Sequence, residues 1–413
     1  MSFVITLSVI IALEVIMMFI IRNLRKRFRW LITPLDEYPK LDEKGLKKFI
    51  EHGYDPQLGW VRKANTSNME KGRYGQTCYH IGSNGARLNP GHEELESRIS
   101  CFGDSFTFCR QVNDDETWAW YLSRLSGTNV LNFGVGNYGI DQAYLRMLRE
   151  LKNLKTNIVM MGVVPSTIVR ILCVWKHYNE FGNTFGFKPR FELKDGKLIL
   201  IKNIIDDESK FYGYEKFLEE IRANDYFYKM KFRNEMIRFP YLYSVLRKPG
   251  RNIPIISALL LSMFLDRLNI KNSWINEYPL MKIMEINRIL RYRLFQDGYV
   301  TNLMRAIVQE FISSVKEKGA RPILLIMPQK DDVLFIRERG IYYADFIDVI
   351  SKSILTIDMT RYLLNRSDLD ILYSDDNIYG GHFSKDGNRF VAEIIYKVLY
   401  ENRCLEETEY NKC

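Results

Sequence analysis

Cysteine and histidine are scarce in this chain, and what is missing narrows its chemistry before any motif is read. Among 413 residues there are six cysteines and five histidines. Cys78, Cys101, Cys109, Cys173, Cys404 and Cys413 show neither metal-ligand spacing nor a small disulfide framework, which fits a reducing compartment. His52, His80 and His92 stand in no partner pattern and are expected to be surface or structural residues. The net charge of +9 suits an anionic membrane surface or an acidic polymer. Its basic residues are dispersed except after the first segment, and no nucleic-acid motif accompanies them. Long apolar runs are equally rare. Only Phe3–Ile21 has the length of a membrane span, whereas Ile253–Leu265 is apolar over just thirteen residues and contains Pro254.

What is present is a globular composition rich in aromatics, long enough for one large domain with smaller additions. Phe3–Ile21 is apolar except for Thr6, Ser8 and Glu14 and is read as a single transmembrane helix, residues 1–21 forming an anchor. The absence of a basic n-region and of a small-residue cleavage site before Arg22 argues against a removed signal peptide. Arg22, Arg25, Lys26, Arg27 and Arg29 follow at once, so the positive-inside rule places the large domain in the cytoplasm, with the exported face as the alternative. Glu14 interrupts the apolar run, where an ionised carboxylate costs about 2–4 kcal/mol at the bilayer centre. It is expected either to face another membrane helix, from a membrane-protein partner, or to be protonated or to snorkel. Residues 22–56 read as a basic juxtamembrane linker with a short helix near Asp42–His52. Residues 57–97 read as a small strand-rich lead-in, broken by Gly82, Asn84-Gly85 and Pro90-Gly91.

The organising stretch is Arg98–Arg110, Arg-Ile-Ser-Cys-Phe-Gly-Asp-Ser-Phe-Thr-Phe-Cys-Arg. The run Ile99, Cys101, Phe102 is too short for a helix and reads as a buried strand that delivers Ser105 to its carboxyl end, where open α/β sheets bind ligands. A second block, Val130–Gln142, is an apolar strand entering a glycine-rich turn and then a helix. A third, Gly380–Asn388, places His382 just before a helix expected from about Asn388 to Tyr400. A serine, loops of donors and a histidine are the parts of an acyl-transfer site.

In order and spacing these blocks resemble the SGNH/GDSL hydrolase family. The resemblance spans 98–403 with a long insertion and implies an α/β fold of SGNH (flavodoxin-like) type: a parallel sheet flanked by helices. It implies Ser105 as nucleophile and His382 as base, with oxyanion donors at the Ser105 N–H and in the Gly136-Asn137 turn. The family's oxyanion glycine falls on Asn137, the non-glycine residue best suited to a positive φ. The family's third-block asparagine is missing, since Val163-Val164-Pro165-Ser166-Thr167 offers only Ser166 as a side-chain donor. The family's acid lies three residues before the histidine, but that position is Tyr379. Asp376 or Asp375 can replace it, or a Ser–His dyad can serve; solvated loop acids are the plain alternative. No metal or organic cofactor is implied.

Strands near 129–133 and 157–162 and the helix Asp141–Leu151 continue a strand–helix alternation that resumes near Thr301, with a helix to Lys318 and strands Pro322–Met327 and Ile354–Asp358. The hydrolase-like domain is therefore 98–170 plus 301–403, with an insertion at 171–300 and a tail at 404–413. The insertion holds a hairpin, Arg190–Ile201, turning at Asp195-Gly196, and a helical stretch, Tyr214–Arg238, whose aromatics form either a lid or an accessory core. Ile253–Leu265 is expected as a buried or interfacial helix. Lys330 and Lys385 are candidates to contact an anionic substrate or are simply solvated. The function implied is a serine esterase or O-acyltransferase on acyl esters of a carbohydrate, lipid or lipid-linked glycan. The alternative is a catalytically weak scaffold in a membrane-bound polysaccharide assembly.

Overall fold

The computed structural model describes residues 2–374 and 381–405. The chain divides into two compact units, each assembled from three separate segments. One comprises Met1–Leu46, Cys173–Phe187 and Tyr212–Leu290; the other comprises Lys47–Leu172, Lys188–Phe211 and Arg291–Cys413.

The larger unit is built on a five-stranded sheet of β1 (Ile99–Gly103), β2 (Val130–Asn132), β3 (Ile158–Val163), β4 (Arg321–Ile326) and β5 (Leu355–Asp358). All pairings are parallel, and the order across the sheet is β2-β1-β3-β4-β5. In a doubly wound sheet the order reverses between the first and third strands, which opens a crevice at their carboxyl ends. That is where β1 delivers Ser105. Strand side chains alternate between faces. Ile99, Cys101, Ile158, Met160, Ile323, Leu325 and Ile357 share a core with Trp118 and Leu122 of the helix Trp118–Ser126, and with Val391, Ile395 and Leu399 of the helix Lys385–Glu401. The helices Ile140–Glu150 and Gly298–Glu317 also pack on the sheet. The second buries Val300, Leu303, Met304, Ile307, Val308 and Phe311 at helical spacing.

Several local expectations shift. The helix Trp118–Ser126 is capped by Thr117, whose side chain accepts the Trp120 N–H. Asp114 accepts Arg87 Nε at 2.7 Å and faces His80 Nδ1 at 2.7 Å, so His80 has a partner that the sequence did not show. Asp195 and Gly196 both take positive φ, 49° and 74°, as a two-residue hairpin turn requires. That hairpin belongs to the sheet unit.

The smaller unit begins with the helix Ser2–Arg27, the one described helix long and apolar enough to cross a membrane. Within residues 22–56, Leu24, Leu31 and Ile32 are buried and Arg25 pairs with Asp36 at 2.6 Å. Ile21, Leu24 and Leu31 form a core with Ile237, Val245, Ile255, Ile256, Leu259 and Ile283. The Glu14 carboxylate has partners within the chain: it accepts the N–H groups of Tyr241 at 2.6 Å and Leu242 at 3.0 Å. The stretch Tyr214–Arg238 is broken rather than one helix. Buried Asp225 accepts four backbone N–H groups, those of Val174, Trp175, Phe227 and Tyr228, and ends the helix Leu218–Asn224. Phe227 and Phe232 are fully buried, and Phe232 packs on His177 and Tyr178, as core residues do.

Candidate active site

The turn after β1 is held from three directions. Asp104 caps the short helix Ser105–Phe108 by accepting the Phe106 N–H at 2.9 Å; its other oxygen accepts the Val164 N–H at 3.3 Å and Arg170 Nη1 at 3.1 Å. One carboxylate thus ties the serine turn to the chain leaving β3. Burial raises the Asp104 pKa, and the Arg170 guanidinium opposes that rise. Gly103 is required by packing: a Cβ there would lie 2.1 Å from Thr107 Oγ1 and 2.3 Å from the Gly162 carbonyl oxygen.

His382 is carried on the segment that leads into the helix Lys385–Glu401. Ser384 caps that helix by accepting the Gly387 N–H, and the His382 carbonyl accepts the Ser374 N–H at 2.6 Å. The imidazole lies against the Phe106 ring, centroids 4.9 Å apart. His382 Nε2 is 2.9 Å from Ser105 Oγ. Its other nitrogen, Nδ1, is 3.0 Å from Gln111 Oε1. Asp375 and Asp376 lie outside the described residues, and among the described residues the Nδ1 hydrogen-bond partner is this neutral amide.

Gln111 was not a candidate in the sequence, where it follows the serine block without any motif of its own. Two contacts set its orientation. Its Nε2 donates to the Lys71 carbonyl at 3.2 Å, which turns Oε1 toward the imidazole. Its backbone, at φ 68°, donates its N–H to Glu70 at 3.0 Å. Glu70 also accepts Arg110 Nε at 3.0 Å. Lys71 and Glu70 sit on the hairpin of Ser67–Gly72 and Gly75–His80, so the strand-rich lead-in supplies part of the site. An amide oxygen only accepts. Nδ1 therefore carries the proton, and Nε2 is free to accept the serine hydroxyl.

Burial, then the positive charges of Arg110 and Arg170, push the His382 pKa from 6.5 to about 3. The ring keeps an edge in solvent, which relieves part of this penalty. Neutral imidazole is the form able to take a proton, and it persists as pH falls below 6.5. The acid limb of kcat/KM is accordingly expected below pH 6.5. Gln111→Glu should move that limb upward by favouring imidazolium, and Gln111→Ala should lower kcat by about 10- to 100-fold through loss of orientation. A pH–rate profile of each variant checks this; a purely structural role for Gln111 would leave the limb where it was.

The remaining expected donors are placed as follows. Asn137 adopts φ 66°, the left-handed conformation its position in the turn calls for. The Gly136 carbonyl accepts Trp60 Nε1 at 3.0 Å, and the Tyr138 carbonyl accepts Arg170 Nη1 at 3.0 Å, so both sides of Asn137 are pinned. Ser166 follows β3, its hydroxyl oxygen buried with no hydrogen-bond partner among the described residues. Lys330 pairs with Asp370 at 2.6 Å, and Lys385 lies 5.1 Å from the Tyr74 ring centroid. Among the described residues no group of three or more His, Cys, Asp or Glu is placed to hold a metal ion.

No family model matches the chain, and no curated protein matches it in sequence. Solved structures do. One, from Desulfitobacterium hafniense DCB-2 and assigned to the G-D-S-L family of lipolytic proteins, is 14% identical with a TM-score of 0.33, covering 74% of this chain and all of its own. A second is 15% identical with a TM-score of 0.30, covering 74% of this chain and 97% of its own.

Proposed function

We propose that this protein is a membrane-anchored serine acyl hydrolase or O-acyltransferase of SGNH/GDSL type. The observation that carries the reading is the 2.9 Å contact between Ser105 Oγ and His382 Nε2 at the carboxyl end of β1. Ser105 gives its proton to Nε2 as Oγ attacks an ester carbonyl, and the N–H groups of Ser105 and Asn137 receive the oxyanion, with the Ser166 hydroxyl as a third donor. His382 then returns the proton to the leaving alcohol, and the acyl group on Ser105 passes to water or to another hydroxyl. Gln111 holds the tautomer that this sequence needs. The substrate class proposed is an acyl ester of a carbohydrate, lipid or lipid-linked glycan, reached from the membrane through residues 3–21, with the catalytic unit on the cytoplasmic side by the positive-inside rule.

A catalytically weak scaffold is the second reading, favoured by the neutral Gln111 in the place where a triad carries a carboxylate. Labelling of the membrane-embedded protein with a fluorophosphonate probe separates the two. We expect wild type to label, and Ser105→Ala and His382→Ala to lose the label. A folded wild-type protein that stays unlabelled, beside a related hydrolase that labels, supports the scaffold.

A further inference from the structure

We propose that residues 239–246 form a second membrane-embedded element, a short re-entrant turn held in the bilayer against the helix Ser2–Arg27. The inference rests on reading that helix as the membrane anchor, and the helix then serves as a ruler. At a rise of about 1.5 Å per residue, Glu14 lies about 12 Å inside the apolar segment, measured from the basic run that starts at Arg22. Its carboxylate accepts the backbone N–H groups of Tyr241 and Leu242. Those two residues therefore stand at the same depth, well below the headgroups.

Composition agrees with that position. Phe239-Pro240-Tyr241-Leu242-Tyr243-Ser244-Val245-Leu246 contains no charged residue, and it is bounded by Arg238 on one side and Arg247-Lys248 on the other. The basic residues are spaced as they would be if both ends of the excursion returned to anionic headgroups. Val245 is buried in the core that includes Ile21 and Leu24, but Phe239, Tyr243 and Leu246 are 71%, 64% and 63% exposed. Three large side chains left facing outward beside a bare apolar helix are unfavourable in water and at home in acyl chains.

Lipid tolerates non-helical backbone only where its polar groups are satisfied. Here several of them have partners within the unit. The Arg238 N–H donates to Ser244 Oγ, which donates back to the Arg238 carbonyl, and the Ser244 N–H donates to the Pro240 carbonyl. Asn252 Nδ2 donates to the carbonyls of Ser244 and Val245 at 3.1 and 3.3 Å. Glu14 takes two of the N–H groups that the first turn of the helix Tyr241–Arg247 leaves without helical partners. This gives the intramembrane carboxylate a purpose, since charge-assisted bonds to N–H groups offset its desolvation. The next helix, Pro249–Arg267, stays at the surface level: Arg251 reaches the Trp30 carbonyl, and Asp266 pairs with Arg27 at 2.5 Å.

The test uses the full chain in vesicles of phosphatidylcholine and phosphatidylglycerol, with a trace phospholipid carrying a diazirine midway along its acyl chain. After photolysis, adducts are mapped by mass spectrometry. Adducts on 239–246 as well as on 3–21 are expected. In Glu14→Ala the adducts on 239–246 should be lost and those on 3–21 kept, while Glu14→Gln, which retains one acceptor oxygen, should keep those on 3–21 and part of those on 239–246. Wild-type adducts confined to 3–21 overturn the re-entrant turn and leave the anchor standing. Adducts on neither segment overturn the anchor reading and this inference with it.

Discussion

Ser105→Ala and His382→Ala are each expected to lower kcat/KM by about four to six orders of magnitude, and the double variant is expected to fall no further. The shared floor is the informative part. Serine hydroxyl and imidazole act as one unit through a single proton, so removing either removes the same step. What survives is the catalysis supplied by positioning and by oxyanion donors. If the two losses added on a logarithmic scale, Ser105 and His382 would be acting separately and the proton-transfer scheme would be wrong. Kinetics of all three variants on one activated ester, set beside the wild type, decide the matter once fluorophosphonate labelling has shown the wild-type serine to be reactive.

The largest loss of stability is expected away from the serine, at Lys188→Ala. Lys188 Nζ and Asp141 Oδ2 lie 2.5 Å apart with both side chains fully buried. Removing the lysine leaves a carboxylate in the interior without its counter-charge, at a cost of about 3–5 kcal/mol. Lys188→Met combined with Asp141→Leu should recover most of that loss, because no buried charge remains. Thermal midpoints together with hydrogen exchange over the helix Ile140–Glu150 report the cycle. The pair also bears on chemistry. Asp141 opens the helix that follows the Asn137 turn, and Lys188 also donates to the Arg170 carbonyl at 3.2 Å. The single variant should therefore loosen the turn that presents the proposed oxyanion donor.

The sheet was readable in the sequence because its signals are local. Each strand of 98–163 and 321–358 is a short apolar run closed by turn residues, and each flanking helix repeats its apolar positions at helical spacing. Asn137 was legible for the same reason, since a positive φ has a small list of tolerant residues. Gln111 was not. Its role comes from a hairpin some forty residues upstream that orients its amide through Glu70 and the Lys71 carbonyl, and no spacing rule encodes that convergence. The break at Asp225 was hidden in a stretch whose aromatic spacing looks helical, because the competing partners, the N–H groups of Val174 and Trp175, lie fifty residues away. Glu14 announced that it needed a partner, and the sequence could not say that the partner is backbone from the same chain.

The serine and the histidine stand 277 residues apart along the chain. During synthesis Ser105 emerges early, capped by Asp104 and seated at the end of β1, while its base arrives only with the last helix of the sheet. On the proposed mechanism, the polypeptide carries its nucleophilic hydroxyl, for most of the time it is being made, with nothing to deprotonate it. On that proposal reactivity waits for the docking of Lys385–Glu401, and a prematurely terminated product is chemically silent.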